Sequence, residues 1–191
     1  GMESTLEQLL TDDSPAVRRQ ACESVGRAQL AVNPEKLVPL LGDERYVAWA
    51  ARQALQNLRV DQWRPLVMQA ESAKVFHHGA ALMLAIDPSK PTAQAVLDET
   101  QVRLAGFLDD NDFIDLLRVM QLALHRGGLE AKDCPELGPQ LAREFPARTD
   151  LNPAGGRFMN RELIRLLVHL QQVSIAPRLV DYAQSDEPME D

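Results

Sequence analysis

Only two cysteines, Cys22 and Cys134, occur in the 191 residues. They lie too far apart in sequence for a CxxC redox pair, a metal knuckle or the CxxCH that attaches a c-type haem, and two buried thiols are the expected state. Redox compartment stays open. Aromatic residues make up just 5% of the chain, whereas strand-rich domains lean on Val, Ile, Tyr, Phe and Trp. Alanine and leucine dominate instead, which favours helix. No apolar run approaches the ~20 residues that span a bilayer, and no charged start followed by an apolar stretch marks a signal peptide. No GxGxxG or GxxxxGK run supplies a phosphate cradle. Positive charge is in deficit: 28 acids against 20 bases leave a formal net charge of −8. That balance opposes the electrostatic term behind most nucleic-acid affinity, so neither a nucleic-acid partner nor direct membrane insertion is expected.

What is present is periodic. With 45% hydrophobic residues the chain can bury a core, and its length permits one domain or two small ones. Asp13, Val17, Ala21 and Val25 recur thirty residues on as Asp43, Val47, Ala51 and Leu55. Upstream, Leu6, Leu9 and Leu10 recur as Leu37, Leu40 and Leu41, one residue further apart. The leucines have the spacing of a helix face, while Val17, Ala21 and Val25 mark one side of a second helix four residues at a time. Ser14 before Pro15 predicts a capping hydroxyl ahead of a first-turn proline, and Asp43 is the expected cap of the matching helix. Each copy reads as a helical hairpin. A hairpin of about 30 residues cannot bury both faces alone, so such units stack into a solenoid.

Residues 63–70 and 74–86 predict a third pair, closed by Asp87 and Pro88. A fourth covers 91–107 and 112–125, with the DDND turn at 109–112 and Gly127 and Gly128 ending its second helix. A fifth covers 136–145 and 160–172, across a Pro/Gly/Asn-rich loop, ARTDLNPAGGRF, at 147–158. Long connections on regular repeats are where specific contacts are added, although an inconsequential insertion is accommodated as easily. SIAPRLVDYAQ at 174–184 reads as a first helix without its second, followed by an acidic fringe, SDEPMED, at 185–191. Leu179, Val180 and Tyr182 are then expected to lack a partner helix, leaving an apolar end that dimerises or is covered by other residues. Gly1 and Met2 read as an expression scar. The expectation is one repeat domain, 3–184, cut from a longer protein in mid-repeat.

The arrangement Asp13, Val17, Arg18, Ala21, Val25 after Leu9 and Leu10 resembles the HEAT repeat. Asp43, Val47, Ala51 and Leu55 repeat it, with Ala48 where that family often carries a base. The resemblance covers residues 6–58 and is architectural from 63 to 145. It implies an all-α, right-handed α-α superhelix of the HEAT/armadillo kind, with about five hairpins and part of a sixth. It further implies a protein-binding or scaffolding role without an activity of its own. FMNRELIRLLVHLQQVSIAPRLVDYAQ, at 158–184, is similar to a segment of large bacterial exported proteins that join a sugar-dehydrogenase-like β-propeller, a HEAT-like region and a c-type haem domain. Asn160, Arg161, Glu162, Leu163, Arg165, Leu166 and Leu167 carry that similarity. It implies a structural spacer in an exported redox protein as the alternative role. The chain has neither propeller patterns nor CxxCH, so no redox chemistry attaches to any residue. A HEAT-like enzyme acting on nucleic acid is a third reading, disfavoured by the net charge.

Candidate sites were weighed against plain structural roles. Arg18 and Arg19 with Asp12, Asp13 and Glu23 suit an anion or acidic-partner site. The stronger reading joins Asp13, Arg18 and Asp43 in an inter-repeat ladder of acids and bases, for instance Arg18 with Asp43. Arg161, Arg165 and His169 lie four apart on one helix face, with Arg157 just before that helix. Arginine is suited to holding carboxylates through paired hydrogen bonds, so these four are the candidate partner-binding residues, a solvated helix face being the alternative. His77 and His78 are adjacent and point about 100° apart on a helix, which argues against a shared metal ion. Cys134 has Lys132 nearby yet no neighbouring histidine to act as base, so no nucleophile is assigned. The expected function is a non-enzymatic protein-interaction or scaffold module without cofactor or metal, whose partners are proteins or neighbouring domains of its parent chain.

Overall fold

The computed structural model describes residues 2–106, 108–147 and 153–184, the last stretch by its backbone alone as far as 155. Among the described residues the chain is all-α, with eleven α-helices and no strand. It forms two compact units, Gly1–Thr92 and Ala93–Asp191, within the span read from sequence as a single repeat domain.

The first unit contains α1 (Met2–Leu9), α2 (Pro15–Ala28), α3 (Pro34–Leu37), α4 (Arg45–Leu55), α5 (Val60–Met68) and α6 (Ala73–Ile86). Its centre is the pairing of α2 with α4. Four contacts set their direction. Arg18 reaches Asp43, Arg19 lies over Tyr46, Gly26 abuts Ala54, and the Gly26 carbonyl accepts from Asn57 Nδ2. Residues early in α2 meet residues early in α4 and late meet late, so the two helices run parallel. Ala21, Cys22 and Val25 of α2 and Val47, Ala50, Ala51, Ala54 and Leu55 of α4 are buried. These small side chains let the backbones approach closely, and the helix-spaced apolar pattern of each copy is what buries them.

Three local expectations are corrected in this unit. Leu37, Leu40 and Leu41 are fully or nearly buried, but they lie on a one-turn α3 followed by a 3₁₀ turn at Val38–Gly42, not on a full α-helix. Pro39 has no N–H to offer the carbonyl four residues back, so the chain tightens while keeping its leucines inward. Ser14 occupies the cap position of α2, yet its hydroxyl accepts no capping bond. The preceding turn is fixed instead by Asp12 Oδ1, which accepts the Ser14 N–H at 2.8 Å. Asp43 does not cap α4 either; Glu44 occupies that position, because the Asp43 carboxylate is engaged by Arg18.

α7 (Lys90–Leu104) begins at the division between the units. The second unit continues with α8 (Asp110–Gly127), α9 (Leu137–Glu144), α10 (Pro153–His169) and α11 (Ala176–Gln184). Asp109 caps α8 by accepting the Asp112 N–H at 2.8 Å, so the acidic DDND stretch starts a helix as well as turning the chain. α10 packs on both α8 and α9. Here too α8 and α10 run parallel, since Arg118 meets Phe158, Gln121 meets Glu162 and Leu129, just after α8, meets His169; Gln101 of α7 joins Gln140 of α9. Leu116, Leu117, Met120, Leu124, Leu163, Leu166 and Leu167 supply the buried stripe.

Part of the expected 147–158 loop is helical, since α10 already starts at Pro153. Proline suits the first turn, where its missing N–H has no partner to lose. Residues 148–152 of that loop and the 185–191 fringe lie outside the described residues. At the expected apolar end, covered or dimerising, Tyr182 is covered: it is only 8% exposed, with its ring edge-on to Phe145 at 5.6 Å. Leu179 is half-buried and Val180 remains exposed. Among the described residues three helix ends turn through left-handed backbone. Glycine takes that turn after α8, at Gly128 with φ 58°, but glutamine takes it after α2 and α10, at Gln29 with φ 51° and Gln171 with φ 54°.

Candidate docking face

Among the charges of α2 and α4 the repeat register assigns a duty to Arg18, and the geometry separates it from those without one. Arg18 Nε and Nη2 donate to the two oxygens of Asp43 at 2.7 and 3.0 Å. Its Nη1 donates to the main-chain carbonyls of Asp12 and Asp13 at 2.8 and 3.0 Å. Asp13 thus enters the ladder through its backbone. The Arg18 hydrogen bonds hold the Asp43 carboxyl below its ordinary value, and Asp43 in turn raises the guanidinium. Such a paired, part-buried fork joins the start of α2 to the start of α4.

Beyond the ladder, the outward face of α4 carries Arg45, Tyr46, Trp49, Arg52, Gln53 and Gln56. Trp49 is 50% exposed and Tyr46 59%. At 100° per residue Tyr46 lies to one side of Trp49, while Arg45 and Arg52 lie to the other. Among the described residues neither Arg45 nor Arg52 forms an ion pair. On the adjoining face of α2, Arg19 sits over the Tyr46 ring at 5.7 Å, and Arg19 and Arg27 both bind Glu23, at 2.7 and 3.0 Å. The result is an aromatic pair bordered by Arg19, Arg45 and Arg52, with Arg27 and Glu23 on the adjoining face of α2 and Glu44 just ahead of α4.

The four residues singled out near the other end are placed differently. Arg157 is half-buried and belongs to α10 itself instead of preceding it. Arg165 Nη1 donates to both oxygens of Glu162, at 2.9 and 3.2 Å. Arg161 Nε lies 3.8 Å from the same carboxylate. Glu162 is only 4% exposed and also accepts from Gln121 Nε2 at 2.8 Å. Phe158 is held between two guanidinium groups, Arg118 at 5.1 Å and Arg161 at 4.8 Å. His169 Nε2 donates to the Leu129 carbonyl at 3.2 Å. Arg161 and Arg165 therefore converge on one buried carboxylate that ties α10 to α8, and His169 is turned onto the backbone after α8.

The remaining candidates have structural settings. His77 is buried with its ring edge-on to Phe76, whereas His78 Nδ1 donates to the Leu41 carbonyl at 2.6 Å. Burial pushes the Cys22 thiol up to about 12 and also raises Cys134, which suppresses the nucleophilic thiolate at both. No group of three or more His, Cys, Asp or Glu side chains among the described residues is placed to hold a metal ion. No helix among them is long and apolar enough to cross a membrane. Open clefts are present among the described residues. One of about 380 Å³ is bordered by Leu104, Asp110, Phe113, Arg143 and Met159, and another of about 290 Å³ by Val38, Leu66, Glu71 and Val75.

Sequence reasoning passed over Tyr46, Trp49, Arg118, Phe158 and the burial of Glu162. A signal for the first two was present. The thirty-residue register aligns Tyr46 with Ala16 and Trp49 with Arg19, so large aromatics stand where the sister copy carries solvent-facing residues. Glu162 offered no such signal, because its burial depends on α8, which brings Gln121 against it. Comparison with models of protein families, with curated proteins and with solved structures finds no match for this chain.

Proposed function

We propose that the protein is a non-enzymatic interaction module, built as a HEAT-type α-solenoid, that docks a partner protein on the outward face of α2 and α4. The parallel pairs support the solenoid part of this reading. Helices α2 and α4, and α8 and α10, each lie beside the helix next but one in the chain, as stacked hairpins require. The charge ladder of Arg18 and Asp43 fits the same scheme.

The observation that carries the docking part is the exposure of Trp49 beside Tyr46. A chain with two tryptophans and two tyrosines places one of each on a single helix face where neither supports the core. Trp, Tyr and Arg are the residue types that dominate binding hot spots, because they bury large area at low entropy cost. Thiols suppressed by burial support the non-enzymatic part.

The test is site-specific photocrosslinking. A photoreactive phenylalanine analogue at position 49 is expected to capture a protein in cells of the source, and one at Val102 is not. The captured protein, once purified, should bind the unmodified chain in calorimetry and bind Trp49→Ala about tenfold more weakly. Equal crosslinking from both positions, or full-strength binding by Trp49→Ala, overturns the reading.

A further inference from the structure

The geometry points to an acidic segment, carrying at least one large apolar side chain, as the partner of the α2–α4 face; this inference rests on the docking role proposed above. The chain as a whole has a net charge of −8, yet this face departs from it in sign. Arg19, Arg45 and Arg52 border Tyr46 and Trp49, with Arg27 further along α2, against the two carboxylates Glu23 and Glu44. Glu23 is already shared between Arg19 and Arg27.

Arg45 and Arg52 have the more telling arrangement. Both flank Trp49 on the side away from Tyr46, and neither is neutralised by an ion pair among the described residues. Many other arginines are occupied, Arg18 with Asp43, Arg59 with Asp61, Arg118 with Asp115 and Arg165 with Glu162; Arg126 and Arg143 share the unpaired state but have no exposed tryptophan on their helices. Unpaired guanidinium groups present their donors to an incoming carboxylate, and an aromatic ring between them removes water from that contact. Trp49 supplies the apolar anchor, and Arg19 over Tyr46 fixes the second ring as a wall of the site.

A short acidic peptide suits this patch better than a nucleic acid does. The basic area extends over two helices only, while a polyphosphate strand has to cross the surrounding surface of a chain whose acids outnumber its bases. A peptide engages the patch with a few carboxylates and one apolar side chain and needs no longer track. Charge complementarity also makes the encounter sensitive to salt.

Tryptophan fluorescence of the full chain provides the readout, because Trp63 is fully buried and Trp49 is half exposed. Three probes are compared: a dodecapeptide of Glu and Asp around two leucines, the same peptide with Gln and Asn replacing the acids, and an oligothymidylate of matched charge. The acidic peptide should blue-shift or quench Trp49 and bind at least about tenfold tighter than the neutral one. Its affinity should fall as salt rises. Arg45→Glu with Arg52→Glu should reduce that affinity by about tenfold or more, and the milder pair Arg45→Gln with Arg52→Gln should reduce it less. Circular dichroism checks that each variant is folded.

Equal binding of acidic and neutral peptides overturns the acidic inference while leaving the docking role intact. Tighter binding of oligothymidylate overturns it in favour of a nucleic acid. Absence of any response to the acidic peptide also overturns it. The crosslinking experiment decides the docking role separately, since it requires no assumption about charge.

Discussion

In the first unit, parallel helices α2 and α4 meet through Ala21, Cys22, Val25, Ala51 and Ala54, with Gly26 set against the Ala54 backbone. The polar contacts sit at the two ends of that seam, Arg18 with Asp43 and Asn57 with the Gly26 carbonyl. Parallel α8 and α10 of the second unit meet differently. Larger side chains line their contact, and Gln121 crosses it to the buried Glu162, which Arg165 also binds. The sequence offsets differ accordingly, 25 to 31 across the first seam and 40 to 41 across the second. A seam of small residues needs polar side chains only at its ends, so the outward positions along α4 are left without a structural task. A wider seam draws its outward polar residues into holding the helices together. Exposed charge is therefore better evidence of binding in the first unit than in the second.

The sharpest way to break this contrast is to enlarge the small seam. Ala54→Leu is expected to cost about 1–3 kcal/mol, since added methylenes have to displace the facing Gly26 backbone. Urea unfolding measures it, and a cost below about 0.5 kcal/mol would mean the seam is loose.

Removing the fork at the end of the seam comes next, with Arg18→Ala expected to cost about 1–2 kcal/mol through lost charge-assisted bonds. Its acid dependence is directional. Asp43 has its folded pKa held below the ordinary 3.8, so the stability it contributes is complete above that value. It is lost as pH falls through the lower folded value. In Arg18→Ala this component of acid sensitivity should disappear, which unfolding curves between neutral pH and pH about 2 would show.

In the second unit Glu162→Gln is expected to cost about 1 kcal/mol. The side chain keeps its shape but exchanges charge-assisted bonds with Arg165 for neutral ones, and the exposed Arg165 regains water. A loss above about 3 kcal/mol would instead place Glu162 at the heart of that unit's stability. Smallest of all should be Trp49→Ala, within about 0.5 kcal/mol of the parent in the same assay. A neutral result there, together with lost binding, separates a docking residue from a core residue.

The limits of the sequence fall where a side chain's role depends on distant partners. The apolar repeats from Leu6 to Leu55 were legible because burial at a helix period leaves its mark on composition every three or four residues. Leu37, Leu40 and Leu41 carried the right burial, but their spacing alone could not exclude a 3₁₀ turn, and Pro39 was the residue that decided it. Pro153, Gly155 and Gly156 signalled a loop by composition, although proline equally serves to start a helix. Arg18 and Asp43 were readable as a pair because the register aligned the copies. The basic run of Arg161, Arg165 and His169 was readable as charge only; that Glu162 inside the same helix consumes it required the neighbouring helix. Trp49 lay in plain view, yet periodicity treats solvent-facing positions as blank.

The left-handed turns after α2 and α10 bear on how robust the chain is. Gln29 and Gln171 are both solvent-exposed and both hold a backbone shape that costs a residue with a β-carbon roughly 1 kcal/mol more than it costs glycine. Part of that strain is offset because glycine loosens the unfolded chain. Replacing both with glycine should still raise the melting temperature by a few degrees, without altering a residue of the docking face. The protein thus carries an unused margin of heat resistance at two helix ends, available to anyone who needs it to endure crystallisation or prolonged assay.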